Sequence, residues 1–244
     1  MIYLDNCSTT KLEERVFDAM KPYFLEDYGN AANRTNQFGL RASEKLASCR
    51  RDLELGLGLE PSSLVFTSGA TESNNYFMQC LLPNLGRGKD IIISSIEHDS
   101  IFKCTAQLQQ NGYVVHLVKH LASGLIDVDD FKRKISSNTC FVSIIHTNNE
   151  IGVIQDLEQI GELCKKYGAF MHSDLSQTVG KIPCDIKGLG IDGASFSAHK
   201  LHGPKGIGAM YLNPNRFGDA KALMMGGSQE MGLRAGTVNI PGVV

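Results

Sequence analysis

Apolar residues along this chain follow two alternating rhythms. Short, nearly continuous apolar runs recur at Leu64–Phe66, Ile91–Ile93, Val114–Val118, Cys140–Ile145, Ala169–Met171, Ala194–Phe196 and Ile207–Leu212. Their length and β-branched content predict buried strands. Elsewhere the spacing opens to the helical period, which predicts amphipathic helices over Leu12–Phe24, Phe38–Leu55, Thr71–Leu81, Ile101–Gln110, Val128–Ile135 and Leu157–Tyr167. Buried strands alternating with helices imply a mainly parallel sheet covered on both faces. The predicted class is α/β, with one domain over residues 1–244 and no repeat, linker or low-complexity stretch.

In such sheets ligands gather beyond the carboxyl ends of the strands. Leu64–Phe66 is followed by Thr67-Ser68-Gly69-Ala70-Thr71-Glu72-Ser73-Asn74, a small-residue turn opening a helix. It reads either as a phosphate cradle or as an ordinary helix cap. Ile91–Ile93 leads to Glu97-His98, a histidine that is either structural or stacked on an aromatic cofactor. Cys140–Ile145 leads to Asn148-Asn149, two amides able to reach a cofactor oxygen.

Two further strand ends carry the sharpest chemistry. His172-Ser173-Asp174-Leu175-Ser176-Gln177 offers an acid with an amide three residues on, and Ser197-Ala198-His199-Lys200 offers an amine. A lysine at a strand end can form a Schiff base with a carbonyl cofactor, and an aspartate beside a pyridine nitrogen keeps that nitrogen protonated. Singly they are an exposed lysine and a helix-capping aspartate. Together, with the glycine-bearing turn upstream, they point to pyridoxal 5'-phosphate (PLP).

Composition narrows the classes. The 244 residues are 42% apolar and 20% charged with a net charge of −2, which suits a globular core and gives no electrostatic case for nucleic acid. No run is long and apolar enough to predict a membrane span, and no basic-apolar leader opens the chain. The seven cysteines form no Cys-x-x-Cys, so neither a metal site nor a disulfide framework is expected, and a reduced, cytoplasmic setting is.

These segments resemble the cysteine desulfurases of the class V aminotransferase group, in particular the NifS/IscS-like branch. The matching stretches are Tyr3–Asn6 with Ser8–Thr10, Gly29-Asn30, Phe66–Asn74, Glu97-His98, Asn148–Gly152, His172–Lys181, Ser197–Gly208 and Gly226–Pro241. The resemblance implies the large domain of PLP fold type I, a sheet of seven-stranded type sandwiched by helices. It implies that Lys200 carries PLP, that Asp174 pairs with the pyridine nitrogen, and that Gln177 bonds the phenolic oxygen. His98 would stack on the ring and handle protons. Ala70, Thr71, Ser197 and His199 would hold the phosphate. Asn149 would meet cofactor or substrate, and Thr237 would reach the phosphate of a neighbouring subunit in a homodimer. The implied reaction turns L-cysteine into L-alanine and passes its sulfur on as a persulfide, for iron–sulfur cluster assembly or thiolation through an acceptor or scaffold protein.

Three departures from the family pattern stand out. None of the seven cysteines has the context of the family's sulfur-accepting loop, and Cys7, where a small residue is usual, reads as a packing residue. Asn36 stands at the position of a usual histidine. The end at Ile240–Val244 reads as an interruption, with the C-terminal small domain and its substrate-binding arginine largely absent. Two readings follow: a desulfurase seen in part, or a catalytically inactive PLP-fold remnant acting as scaffold or partner of an intact enzyme.

Overall fold

The computed structural model describes residues 2–216 and 221–244. Its strands are β1 Leu64–Thr67, β2 Asp90–Ser94, β3 Val114–Val118, β4 Thr139–Ser143, β5 Phe170–Asp174, β6 Gly193–Ser197 and β7 Gly208–Leu212. They form one seven-stranded sheet in the order β1-β7-β6-β5-β4-β2-β3. Neighbours from β6 through β3 run parallel, while β7 runs antiparallel to both β6 and β1. The α/β class and the mainly parallel sheet expected from the apolar runs are therefore present.

The helices are α1 Glu14–Met20, α2 Pro22–Leu25, α3 Gln37–Gly56, α4 Ala70–Tyr76, α5 Asp99–Gln110, α6 Val128–Lys134, α7 Leu157–Tyr167 and α8 Ile240–Val243. Alternate strand residues feed two separate cores, because successive side chains point to opposite faces. Ile91, Ile93, Phe141 and Phe170 pack with Tyr76 of α4 and Ile101, Cys104 and Leu108 of α5. Ile92, Val142 and Met171 pack on the other face with Phe131 of α6 and Leu157, Ile160 and Cys164 of α7, and Leu46 and Leu53 of α3 pack against that cluster. Apolar side chains cover both faces of the central strands, and polar strand-end residues are left at the carboxyl edge. The run Val114–Val118, expected to be buried, is instead the edge strand β3, with Val114 and Leu117 exposed because it has a neighbour on one side only.

Two expected helices differ in detail. Leu12–Phe24 divides at Lys21, since Pro22 begins the short α2 as its first residue, the position where a missing N–H costs nothing. The helix expected over Thr71–Leu81 starts as α4 and widens into a π-type turn over Phe77–Leu81. Local capping fixes the others. The Asn36 side chain accepts from Gly39 N at the start of α3, and Gly168 ends α7 in the left-handed conformation at φ 74°.

Candidate active site

Beyond β6 the chain makes a single tight turn, Ala198–Lys200, before returning as β7. The Lys200 ammonium donates to the carbonyl oxygens of Cys7 (2.5 Å) and Ser8 (2.8 Å). Neighbouring contacts staple the N-terminal segment to the same turn: Thr10 N donates to His199 O (2.9 Å) and Glu13 N to His202 O (3.0 Å). Partial burial pulls the Lys200 amine below its ordinary range, against the opposing pull of Asp174 and Asp5. An amine so placed exists more readily in its neutral, nucleophilic form.

Asp174 closes β5 and is buried at 4% exposure. Its Oδ1 accepts from Ser176 N (2.9 Å) and its Oδ2 from Asn74 Nδ2 on α4 (2.8 Å). Among the described residues these are hydrogen bonds from neutral donors, and no cationic side chain pairs with it. A buried carboxylate held this way is suited to face a cationic N–H of a ligand. Gln177, one turn on, donates through Nε2 to Cys7 O (2.7 Å) and accepts from Lys181 through Oε1.

The turn from β1 into α4 forms a third wall. Gly69 adopts φ 151°, a conformation that side chains disfavour, and the Ala70 N–H donates to Ser197 Oγ (2.6 Å). Gly208, at the start of β7, approaches this turn so closely that a Cβ there would meet Phe196 O at 2.5 Å and Gly69 Cα at 2.6 Å. Glu72 accepts from Ser68 N (2.7 Å) and from Arg234 Nε (3.0 Å), which docks the 226–237 segment against the turn. His199 Nδ1 lies 3.1 Å from Thr9 Oγ1; burial, then the nearby Lys200, Lys205 and Lys181, lower its pKa.

The fourth wall comes from the end of β2. His98 caps α5, its Nδ1 accepting from Ser100 N (3.1 Å) and lying 2.8 Å from Ser100 Oγ. Glu97 is buried, with Oε1 accepting from Ser94 Oγ (2.6 Å) and Ile145 N (2.6 Å), while Oε2 has no partner. Burial pushes its carboxyl up to about 8, so it is a neutral acid at pH 7. Asn149 lies opposite, donating through Nδ2 to Glu150 (2.6 Å).

These walls enclose an open cavity of about 450 Å³. Ala70, Thr71, His98, Asn149, Asp174, Gln177, Ser197, His199 and Lys200 all line it. Thr237 is exposed and does not line it. Sequence reasoning missed Asp5, Ser8, Ser100, Glu150 and Ser176 as lining residues. Asp5, Ser8, Glu150 and Ser176 lie in matched stretches, which was the available signal, and Ser100 lies just past one. Cys7 is a correction: it is exposed and lines the cavity, because Lys200 and Gln177 bind its carbonyl and hold its backbone at the mouth. Its thiol bonds Asp5 Oδ1 at 3.2 Å. Asn36 has a local explanation as the cap of α3. No group of three or more His, Cys, Asp or Glu among the described residues is arranged to hold a metal ion.

An amine, a buried carboxylate and a turn with hydroxyl and N–H donors around one cavity define the class: a carbonyl-cofactor site on a doubly covered α/β sheet. The aminotransferase class-V family matches residues 2–244, and the chain belongs to that family, whose cysteine desulfurases are PLP-dependent. It is 41% identical to the cysteine desulfurase IscS of Rickettsia bellii (strain OSU 85-389) over 244 residues, which are 100% of this chain and 60% of that protein. It is 39% identical to the mitochondrial cysteine desulfurase of Drosophila melanogaster over 98% of this chain and 52% of that one. Among solved structures, a NifS-like protein superposes with a TM-score of 0.95 at 36% identity, covering 99% of this chain and 66% of that one. SspA in complex with cysteine superposes with a TM-score of 0.94 at 34% identity, covering 100% and 70%. The chain spans about 60% of the length of the IscS relatives it matches.

Proposed function

We propose that residues 1–244 form the PLP-binding large domain, with its N-terminal segment, of a cysteine desulfurase. The observation that carries this reading is the convergence of Lys200 and Asp174 on one cavity with the Ala70–Ser197 turn. The donor set fits the cofactor: an amine for its carbonyl carbon, a buried carboxylate that forms no ion pair among the described residues for its pyridine nitrogen, and hydroxyl and N–H donors for its phosphate. Bound there, PLP supplies an electron sink for the carbon beside an amino acid's nitrogen.

This chain's residues do the remainder. Lys200 would hold the cofactor through its amine and would move the proton at the substrate's α-carbon. Asp174 holds the proton on the pyridine nitrogen. His98, which lines the same cavity, would pack against the cofactor and handle protons. Ala70, Thr71, Ser197 and His199 hold the phosphate, and Gln177 and Asn149 orient the oxygens of cofactor and substrate. Gln177 exchanges its bond to Cys7 O for the ligand when it does so.

In the proposed reaction the C–S bond of L-cysteine breaks and an S–S bond forms with an acceptor cysteine thiol. The electron pair of the broken C–S bond stays on the β-carbon, which gains a proton balancing the one lost by the acceptor thiol, so the products are L-alanine and a persulfide. The persulfide then supplies iron–sulfur cluster assembly or thiolation through a partner protein. We further propose a homodimer in which Thr237, exposed outside its own cavity, completes the phosphate site of the neighbouring subunit. We also propose a cytoplasmic setting, which the seven free cysteines support; among the described residues no helix is long and apolar enough to cross a membrane.

The test is direct. Adding PLP turns the protein yellow, and borohydride then fixes the label on Lys200. Recovery of the label on Lys181, whose amine is also depressed by burial and lies near Lys200, would overturn the assignment.

A further inference from the structure

We propose that Asn74 is a positioning residue that couples Asp174 to His98 through the hydroxyl of Ser100. Asn74 sits on α4, fully buried at 0% exposure, and does not line the cavity. Its Nδ2 carries two hydrogens and has two acceptors: Asp174 Oδ2 at 2.8 Å and Ser100 Oγ at 2.8 Å. Ser100 Oγ in turn lies 2.8 Å from His98 Nδ1. The direction of every bond in the series can be assigned. Ser100 N already donates to Nδ1, so that nitrogen is an acceptor and the imidazole proton of neutral His98 is on Nε2. Ser100 Oγ accepts from Asn74, which leaves its own hydrogen to donate to Nδ1.

The amide orientation is itself informative. Asn74 Oδ1 is buried and has no hydrogen-bond partner. Turning the amide over would leave Oδ1 facing the Asp174 carboxylate at the same short distance, acceptor against acceptor, and would leave Ser100 Oγ without its donor. The orphaned Oδ1 is therefore the less costly of two imperfect arrangements, set by what Asp174 and Ser100 require. The consequence is geometric. One amide fixes the rotation of the carboxylate assigned to the pyridine nitrogen and, through one hydroxyl, the ring assigned to the opposite wall. Asp174 and His98 come from different strand ends, β5 and β2, and α4 ties them together.

The proposal rests on the reading of Asp174 and His98 as cofactor-facing groups, and two measurements keep the two claims apart. The first uses the full chain without cofactor and reads the ¹⁵N resonance of His98 Nδ1. Asn74→Ala frees the Ser100 hydroxyl to turn away, so the resonance moves toward that of a nitrogen accepting no hydroxyl. Ser100→Ala moves it the same way, and the double variant moves it no further. Asn74→Asp, which keeps the shape, draws the hydroxyl to the introduced carboxylate and gives the same movement. No movement with Asn74→Ala or Asn74→Asp, while Ser100→Ala shows one, would overturn the relay.

The second measurement is PLP affinity by absorbance. Asn74→Ala weakens binding about tenfold, in line with one lost hydrogen bond to a charged group. It adds nothing in an Asp174→Ala background, because its effect passes through that carboxylate. Full additivity would mean a general packing role and would overturn the coupling to Asp174. If PLP binds to no variant and not to the parent chain, the reading of the site fails, and the cofactor-free resonance alone decides the relay.

Discussion

Lys200 and Cys7 stand at opposite ends of the sequence, yet the Lys200 ammonium donates to the Cys7 carbonyl oxygen at 2.5 Å. The same ammonium reaches Ser8 O, so the side chain assigned to bind the cofactor also closes the N-terminal segment over the cavity. The two roles separate by substitution. Lys200→Ala removes both bonds and costs about 1 kcal/mol, with faster hydrogen exchange over residues 5–10 and no borohydride labelling. Lys200→Arg retains a cationic donor, so the segment stays protected while labelling is still lost. Equal exchange in the parent and Lys200→Ala would show that the Thr10 and Glu13 staples suffice without the lysine.

Asp174 separates electronic from structural effects. Asp174→Ala should lower the exchange of a bound amino acid's α-proton by at least about 100-fold, and Asp174→Glu should retain a small part. The variant also leaves Asn74 and Ser176 N short of an acceptor, so its melting temperature must be recorded beside the exchange rate. Undiminished exchange in Asp174→Ala would mean that another group faces the pyridine nitrogen.

Glu97 sets a pH dependence of stability. Its folded pKa of about 8 stands above the ordinary carboxylate value of 4.5 because burial opposes the charge. Between those values the folded protein keeps a proton that the unfolded chain has released. This group's stabilising contribution is therefore complete below the unfolded pKa and declines as pH rises toward 8, by at most about 1.4 kcal/mol per pH unit. Glu97→Gln removes the titration, so its urea midpoint should fall less steeply than the parent's between pH 5 and 8. Parallel slopes for the two proteins would rule Glu97 out as the source.

Most strands were legible because they are buried on both faces and read as continuous apolar runs, as at Ile91–Ile93 and Phe141–Val142, whereas edge strand β3 was legible from its β-branched run alone. The reversed direction of β7 was not read out, although a signal existed. The link 198–207 holds only one helical turn and Gly203-Pro204, which is short for a parallel crossover. The cavity-lining set was legible where chemistry sits just past a strand, as with Lys200, Asp174 and Asn149. Asn74 and Ser100 escaped because their importance lies in contacts between α4 and α5, which no local pattern encodes. Cys7 was misread because its exposure depends on bonds its backbone makes to Lys200 and Gln177, far along the chain.

Gly208 is required by a close approach between β7 and the turn before α4. A Cβ at this position would lie 2.5 Å from Phe196 O and 2.6 Å from Gly69 Cα, both backbone atoms with little freedom to yield. Gly208→Ala should therefore destabilise the fold by about 1–3 kcal/mol and weaken PLP binding as the turn shifts. Gly206→Ala, with open space around its Cβ but φ 81°, tests backbone strain without the clash. A smaller loss of PLP affinity in Gly206→Ala than in Gly208→Ala supports the contact, and equal losses would remove it as the cause.

The Cys7 thiol is accessible yet should react slowly. It donates to Asp5 Oδ1 at 3.2 Å, and that hydrogen bond, with a smaller part from desolvation and from the charge of Asp5, raises its pKa above the ordinary thiol range. Because the thiolate is the nucleophile, a raised pKa means less reactive species at any pH below it. Alkylation of Cys7 by iodoacetamide at pH 8 should be slower than that of a free cysteine. Asp5→Asn removes the carboxylate charge and weakens the acceptor, so Cys7 should then react faster, with its pH–rate curve displaced to lower pH. Cys7→Ser should leave PLP binding unchanged, since Lys200 and Gln177 bond the Cys7 carbonyl, not the sulfur. The remaining cysteines are buried or half-buried, so peptide mapping can assign the fast-changing site. A Cys7 rate unaltered by Asp5→Asn would show that Asp5 does not govern the thiol. A rate in the parent above that of free cysteine would make Cys7 an activated nucleophile at the cavity mouth.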